Sequence, residues 1–296
     1  MAIRLVDWSK FVLVVLVGVV VISYFYHLRG NPKLHPATPR ATQHAHQQYF
    51  VPKVVHVLWF YPEGTSLRFH QFISLLSVHK FLQPDEIVVW NSHAPEGPWW
   101  NAFLLRSPPV TLRHLDPPET VFDRPINITE HKADVARIQV LLRHGGIYLD
   151  LDVIILRSFD SLLKHDVTMG AESPDLLGSG LILSKADSTF LKLWLETYRN
   201  FTDGDWNRFS VRKPMEIAKA HPDLLHIEWF GFHRPNWFER EWIYSTGLLW
   251  DWSENFAMHL WYRTHDTEYE PESIRKLNST LGEVFRFVFY GSGNIT

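Results

Sequence analysis

Apolar residues along the chain form one long unbroken run near the start and many shorter runs and stripes after it. Residues 11–26 (FVLVVLVGVVVISYFY) carry no charge, and the run reaches residue 28 before Arg29 ends it. As a helix rising 1.5 Å per residue it would span roughly 24–27 Å, enough for a thin bilayer. Tyr24, Phe25 and Tyr26 stand where a cleaved signal peptide would end in small residues. An uncleaved transmembrane signal anchor is therefore expected over 11–28, after a short tail at 1–10. Residues 29–50 contain three Pro and no apolar period, and read as an extended stem. His44 and His46 lie in that stem with no other ligand nearby. The remaining residues, 51–296, suffice for one large domain.

Within that body, residues 51–60 (VPKVVHVLWF) and 86–91 (EIVVWN) are continuous apolar runs, as strands buried on both faces require. Thr65 and Ser66 are placed to cap a helix running towards Leu82, which Pro84 stops. Thr129 can cap a helix of about fifteen residues, ended by Gly145-Gly146. Residues 147–156 (IYLDLDVIIL) read as strand, acidic break and strand. Residues 181–184 predict another strand, and 188–198 and 214–220 predict helices, the second with Pro in its first turn. VFRFVFY near the end predicts a packed amphipathic element. Alternating strands and helices predict an α/β fold with a mainly parallel sheet flanked by helices.

Composition narrows the function. The chain of 296 residues is 46% hydrophobic and 21% charged and contains no Cys. Disulfides, thiol nucleophiles and Cys-ligated metal centres are excluded. Residues 1–50 hold five basic groups and one acid, a net of +4, which leaves −7 for the body out of the overall −3. A body that acidic has no footprint for nucleic-acid phosphates. Charges flanking the anchor are balanced, with Arg4 and Lys10 before it and Arg29 and Lys33 after it. Four N-x-[ST] sequons, at Asn127, Asn200, Asn278 and Asn294, favour a lumenal body carrying N-glycans.

Chemistry concentrates between residues 131 and 156. The helix there is apolar on nearly every side, yet Asp134 and Arg137 share one of its faces. Charges in such a helix need partners, either each other or a polar ligand. Asp150 and Asp152 follow the double glycine. In an extended chain, residues two apart project to the same side, so both carboxylates should point together. Their repulsion calls for a cation between them, and a hard divalent ion completed by diphosphate oxygens would serve. Glu172 reads as an exposed loop residue. Six of the 13 Trp lie between residues 229 and 261. Most of these are expected in the core, with Trp237 and Trp242 at the surface. No P-loop, dinucleotide fingerprint, H-E-x-x-H or G-x-S-x-G is present.

The helix–GG–Y-L-D-x-D block resembles the DXD-containing sugar transferases of glycosyltransferase family 32. That family includes α-1,4-galactosyltransferases, α-1,4-N-acetylglucosaminyltransferases and yeast α-mannosyltransferases. Pro52, Lys53, His56 and Trp59 match the family's opening strand, residues 177–184 (LGSGLILS) its pocket strand, and Ala257, His259 and Trp261 its late A-x-H-x-W motif. The resemblance covers most of 51–263. It implies a GT-A-like single domain, a nucleotide-sugar donor, a divalent cation (Mn²⁺ before Mg²⁺) and transfer with retention of configuration. Asp150 and Asp152 would then hold the ion and serve catalysis, while Asp134 and Arg137 would contact the donor sugar and its phosphates. Trp59 would stack on the base with His56 behind it, Gly178 and Gly180 would line the pocket, and His259 and Trp261 would close it. The implied donor is a UDP-sugar ahead of GDP-mannose, and the implied acceptor a glycan or glycolipid. The implied location is the Golgi membrane, single-pass type II. Lys213 stands where the family usually has Gly before Pro214, a departure on the acceptor side. The rival expectation is a membrane-tethered carbohydrate-binding protein of the same fold without turnover. Such a protein would have no need of the acidic pair beside Asp134 and Arg137.

Overall fold

The computed structural model describes residues 49–106 and 108–295. The expected tail, anchor and nearly all of the stem, with His44 and His46, lie outside the described residues. No helix among the described residues is long and apolar enough to cross a membrane.

Eleven strands are described: β1 Val54–Trp59, β2 Glu86–Asn91, β3 Val110–His114, β4 Thr120–Val121, β5 Arg124–Pro125, β6 Gly146–Leu149, β7 Val153–Ile155, β8 Val167–Ser173, β9 Leu176–Ser184, β10 His226–Glu228 and β11 Ala257–His259. Among them run helices α1 Phe69–Ser77, α2 Pro98–Leu104, α3 Thr129–His144, α4 Thr189–Thr197, α5 Lys213–Ala220, α6 Glu241–Tyr244, α7 Pro271–Arg275 and α8 Thr280–Tyr290. The main sheet has seven strands in the order β10-β8-β9-β6-β1-β2-β3. Four of its six pairings are parallel, and only β6–β9 and β8–β9 are antiparallel. The expected mainly parallel α/β layout is what the chain adopts.

Burial on both faces explains the unbroken apolar runs. One face packs Val55, Val57 and Trp59 against α1 and α8 through Phe69, Phe72 and Phe285. The other packs Tyr148, Met169 and Ile182 against Val135, Ile138 and Leu141 of α3 and Leu191 and Trp194 of α4. The amphipathic stretch near the end is α8, which buries Val284, Phe285 and Val288.

Three local expectations are corrected. Thr65 and Ser66 do not cap α1. The Thr65 hydroxyl donates back to the Pro62 carbonyl at 2.7 Å, and Ser66 bridges Glu96, so the helix begins only after Arg68. It ends at Ser77, and a π-helical turn, Val78–Leu82, carries the chain on. Thr129 is the first helical residue of α3, not its cap. The strand expected at 181–184 begins earlier, and β9 makes shifted register with β8 between Met169 and Gly170 and again between Ala171 and Ser173.

Candidate active site

The site is built at the end of α3, where Gly145 and Gly146 take φ of +65° and +106°, the left-handed region that side chains resist. Space is the second constraint. A Cβ on Gly146 would stand 2.5 Å from the Val54 carbonyl oxygen, and one on Gly145 2.7 Å from the Ala186 nitrogen. His56 fastens this turn. Its Nε2 is 2.9 Å from the Gly145 carbonyl oxygen, and Trp90 Nε1–H donates to its Nδ1 at 3.2 Å. With Nδ1 accepting, the proton sits on Nε2, and burial lowers the ring to about 4, so it stays neutral. His56 is thus a buried brace under the double glycine, not a pocket residue.

The chain then leaves β6 into a turn. Val153 N–H donates to the Asp150 carbonyl at 3.0 Å, and Leu151 and Asp152 occupy the bend. The two carboxylates therefore do not converge by the alternation of an extended strand. They converge because the chain folds back between β6 and β7.

Asp150 belongs to the main sheet. Its N–H donates to the Gly180 carbonyl at 2.8 Å, and the Tyr148 hydroxyl donates to its Oδ1. Arg137 Nη2 lies 3.4 Å from the same oxygen. The guanidinium also donates to the Ser179 carbonyl at 2.7 Å and its hydroxyl at 3.1 Å, and pairs with Asp134 at 3.3 Å. Arg137, with its side chain 6% exposed, thus ties α3 to β9 and to the acidic turn. Burial pushes the Asp134 carboxyl up to about 6, and Arg137 pulls it back only in part.

Asp152 is held by different neighbours. Tyr262 N–H donates to its Oδ2 at 3.0 Å, and His259 Nε2 is 3.2 Å from its Oδ1. β11 pairs antiparallel with β7, setting His259 opposite Val153, which is how a residue so distant in sequence reaches the acidic turn. Burial would raise Asp152, but His259 and the Tyr262 amide hold it down to about 2. The same partnership raises His259, against the effect of its own burial.

Ligand atoms of Asp150, Asp152 and His259 lie within 4.8 Å of one another, a set able to hold a metal ion. The donor chemistry fits a hard or borderline dication, two carboxylate oxygens with one imidazole nitrogen. His259 Nδ1 is buried without a hydrogen-bond partner. A Cβ on Gly180 would stand 3.1 Å from Asp150 Oδ2 and 3.2 Å from His259 Nδ1, so the absent side chain keeps a cradle open between them. His259 also stacks on Trp261, ring centroids 3.7 Å apart, and Trp237 meets Trp261 edge-on.

Of the residues expected to bind substrate, Asp134, Arg137, Gly180, His259 and Trp261 gather around the acidic turn, Gly178 lies beneath His233 and Glu172 instead, and Trp59 stays away from the turn. Its side chain is 0% exposed, packed in the core on the α1 face, and presents no ring face to a base. Tyr61, two residues on, is 43% exposed and covers Trp59 at 4.4 Å. Its hydroxyl accepts from the Gln71 side-chain amide at 3.3 Å, and burial, with the charges of Asp152 and Asp150, raises it. Glu172 is not an exposed loop residue either. It is the penultimate residue of β8, half-buried, with its carboxyl pushed up to about 6 by burial. No period marked Tyr61 or Glu172, since each acquires its place from tertiary packing. The six Trp between 229 and 261 are not core residues: none is fully buried, and Trp229 is the exposed one, with Trp237 and Trp242 half-buried. Lys213, the departure before Pro214, pairs with Glu216 at 2.5 Å. All four sequon asparagines are exposed, and the Asn127 side-chain amide also donates to Asp203 at 2.8 Å.

Residues 74–168 match the family described as the glycosyltransferase sugar-binding region containing the DXD motif. Glucan organizing enzyme 1 of Cryptococcus neoformans is 30% identical over 272 residues, covering 84% of this chain and 73% of that protein. Inositol phosphoceramide mannosyltransferase 3 of Schizosaccharomyces pombe is 28% identical, covering 83% of this chain and 60% of that one. Glycosyltransferase afumC of Aspergillus fumigatus is 27% identical, and the chain spans 51% of its length. Among solved structures, the galactosyltransferase LgtC in complex with donor and acceptor sugar analogs is 12% identical at a TM-score of 0.47, covering 82% of this chain and 97% of that one. The relative from Cryptococcus neoformans, 30% identical and covered over 73% of its length, shows the family: the chain belongs to the DXD-containing glycosyltransferases of family 32 and is a transferase enzyme.

Proposed function

We propose that the protein is a divalent-metal-dependent, retaining glycosyltransferase that moves a hexose or N-acetylhexosamine from a nucleotide-sugar to a glycan or glycolipid. One observation carries the metal dependence: β11 delivers His259 to Asp150 and Asp152 with its buried Nδ1 unpartnered. When bound there, Mn²⁺ or Mg²⁺ would act as a Lewis acid towards the departing diphosphate. The chain's own residues supply the rest. Arg137 offers positive charge beside the donor phosphates while keeping Asp134 and Asp150 in place. Trp261, backed by Trp237, offers an aromatic wall against which a sugar face can pack. Tyr61 takes the base-stacking role that the buried Trp59 does not fill. No side chain of the site is cast as a covalent nucleophile, and a front-face transfer, with a donor phosphate oxygen assisting the acceptor hydroxyl, needs none.

A UDP-sugar remains the expected donor ahead of GDP-mannose. The mannosyltransferase named for inositol phosphoceramide keeps mannose and a glycolipid acceptor within the reading. A recess of about 300 Å³ lined by Phe238, Arg240, Glu241, Tyr244 and Thr264 is the proposed acceptor approach. Tyr244 there is raised first by burial and then by the charge of Asp152. The body at 51–296 is proposed to stand in the Golgi lumen on the anchor at 11–28, with glycans at the exposed Asn200, Asn278 and Asn294. Asn127, already bonded to Asp203, is the least available of the four.

Screening UDP- and GDP-sugars with Mn²⁺, Mg²⁺ or chelator tests the reading. Binding should raise the melting temperature by mass action, and hydrolysis or transfer should require the ion. Turnover that survives full chelation would refute the metal role. The base-stacking assignment has its own test. Tyr61→Ala should weaken nucleotide binding about tenfold by calorimetry, a loss of the size that aromatic stacking contributes per base, with little change in melting. Trp59→Ala should instead cost about 3–5 kcal/mol of stability, as a large core truncation does.

A further inference from the structure

One short segment grips Asp152 twice. Leu260 N–H donates to its backbone carbonyl at 2.9 Å, and Tyr262 N–H donates to its carboxylate at 3.0 Å. Between them Trp261 takes a φ of +55°, a left-handed conformation that a bulky side chain adopts only at a cost. Such a residue persists where its surroundings leave no alternative. On one side of it the Tyr244 hydroxyl donates to the Leu260 carbonyl at 2.5 Å. On the other, the Tyr262 hydroxyl donates to the Thr267 carbonyl. The Tyr262 ring lies flat on His70 of α1, with centroids 3.6 Å apart and planes 13° apart, and His265 meets it edge-on at 5.5 Å.

His70 is 5% exposed, and no hydrogen bond of Nδ1 accounts for its place, since that atom is buried without a partner. Burial lowers the ring to about 4, so it is neutral and sets no positive charge against a dication at the acidic turn. What His70 supplies is a flat, uncharged face. Stacked rings hold a defined separation and tilt, whereas an aliphatic side chain of similar bulk fills the space and leaves its neighbour free to tilt. We propose that His70 is a positioning residue: by stacking on Tyr262 it fixes the amide that orients Asp152 for the metal ion. The inference rests on the metal-dependent reading above and concerns neither donor nor acceptor. It gives the left-handed Trp261 a purpose, since the chain must turn there to bring the Tyr262 amide onto the carboxylate.

The test compares the full chain with His70→Leu, which fills the space without a flat face, and His70→Phe, which restores one. Hydrogen exchange of the Tyr262 amide, read by mass spectrometry in metal-free protein, reports the grip on Asp152. Calorimetric titration with Mn²⁺ reports the ion site. His70→Leu should exchange that amide at least about tenfold faster and bind Mn²⁺ about tenfold to a hundredfold more weakly, the cost of losing support behind a metal ligand. His70→Phe should stay within about threefold of wild type in both, because it keeps the stack. Either readout unchanged in a folded His70→Leu overturns the proposal, as does an equal loss in His70→Phe. If His70→Leu does not fold, Tyr262→Leu removes the other ring of the stack and carries the same expectations, with the same results overturning them. Failure of both to fold overturns the proposal too, since the stack would then hold the domain and not the amide. If wild type binds no Mn²⁺, the metal reading fails and the ion part of the proposal with it, while exchange at Tyr262 still decides what the stack holds.

Discussion

Replacing Asp152 with Asn is expected to lower metal-dependent turnover of a nucleotide-sugar by at least about a hundredfold to a thousandfold, the scale of losing one preorganised charge-stabilising group. Asn keeps the size of the side chain and can still accept from the Tyr262 amide, so the 3.0 Å bond that anchors the turn survives. What disappears is a negative charge held at about 2 by His259 and that amide, and with it one of three candidate ligands. Apparent affinity for Mn²⁺, measured by the concentration that restores half-maximal hydrolysis, should fall in parallel. His259→Ala should reproduce the metal effect in weaker form. Asp152→Asn retaining more than a tenth of wild-type turnover at saturating Mn²⁺ would remove Asp152 from the catalytic machinery.

A stability effect as large as that of truncating the buried Trp59 is expected at Arg137. Arg137→Ala leaves Asp134 and Asp150 without their shared cation and strips donors from the Ser179 and Ala133 carbonyls. Breaking a buried pair by removing one partner costs about 3–5 kcal/mol, because the remaining charge stays buried. For a domain of this size that is a drop of about 10 °C or more in melting temperature. The pH dependence follows from Asp134. Its carboxyl already stands at about 6, above the ordinary 3.8, and losing Arg137 moves it higher. A folded-state value raised above the unfolded one favours the folded state at low pH and loses that advantage as pH rises through the folded value. The Arg137→Ala protein should therefore regain part of its lost stability between pH 7 and pH 5, and Asp134→Asn should abolish that recovery. Melting of Arg137→Ala within 1 °C of wild type across that range would contradict the role given to this pair.

Much of this site is legible in the sequence, and the reason is local. Two parallel strands buried on both faces must be unbroken apolar runs, as residues 54–59 and 86–91 are. A helix meeting a buried strand in a cramped turn must end in glycine, as Gly145 and Gly146 do. Asp134 and Arg137 were conspicuous because their helix is otherwise apolar. What escaped depends on partners far along the chain. The place of His259 beside Asp150 and Asp152, as a third candidate ligand, is a product of β11 lying against β7, which no spacing encodes. Trp59 loses its expected base-stacking role because the core swallows the indole and leaves the Tyr61 phenol outside. Glu172 looked like a loop acid because a register shift in β9, invisible to periodicity, decides what it faces. Even the convergence of Asp150 and Asp152 was anticipated for a reason that does not hold, since the chain bends there.

That bend has a consequence for ion choice. Asp150 is fastened to the seven-stranded sheet through Gly180, Tyr148 and Arg137, whereas Asp152 is fastened to the small β7–β11 ribbon through His259, Leu260 and Tyr262. The two carboxylates are thus carried by different sheets, linked at the turn through Leu151 and through the Val153 N–H bond to the Asp150 carbonyl. With its two carboxylates carried by different sheets, the proposed metal site is expected to accept both Mn²⁺ and Mg²⁺, which metal titration of the chelated protein checks.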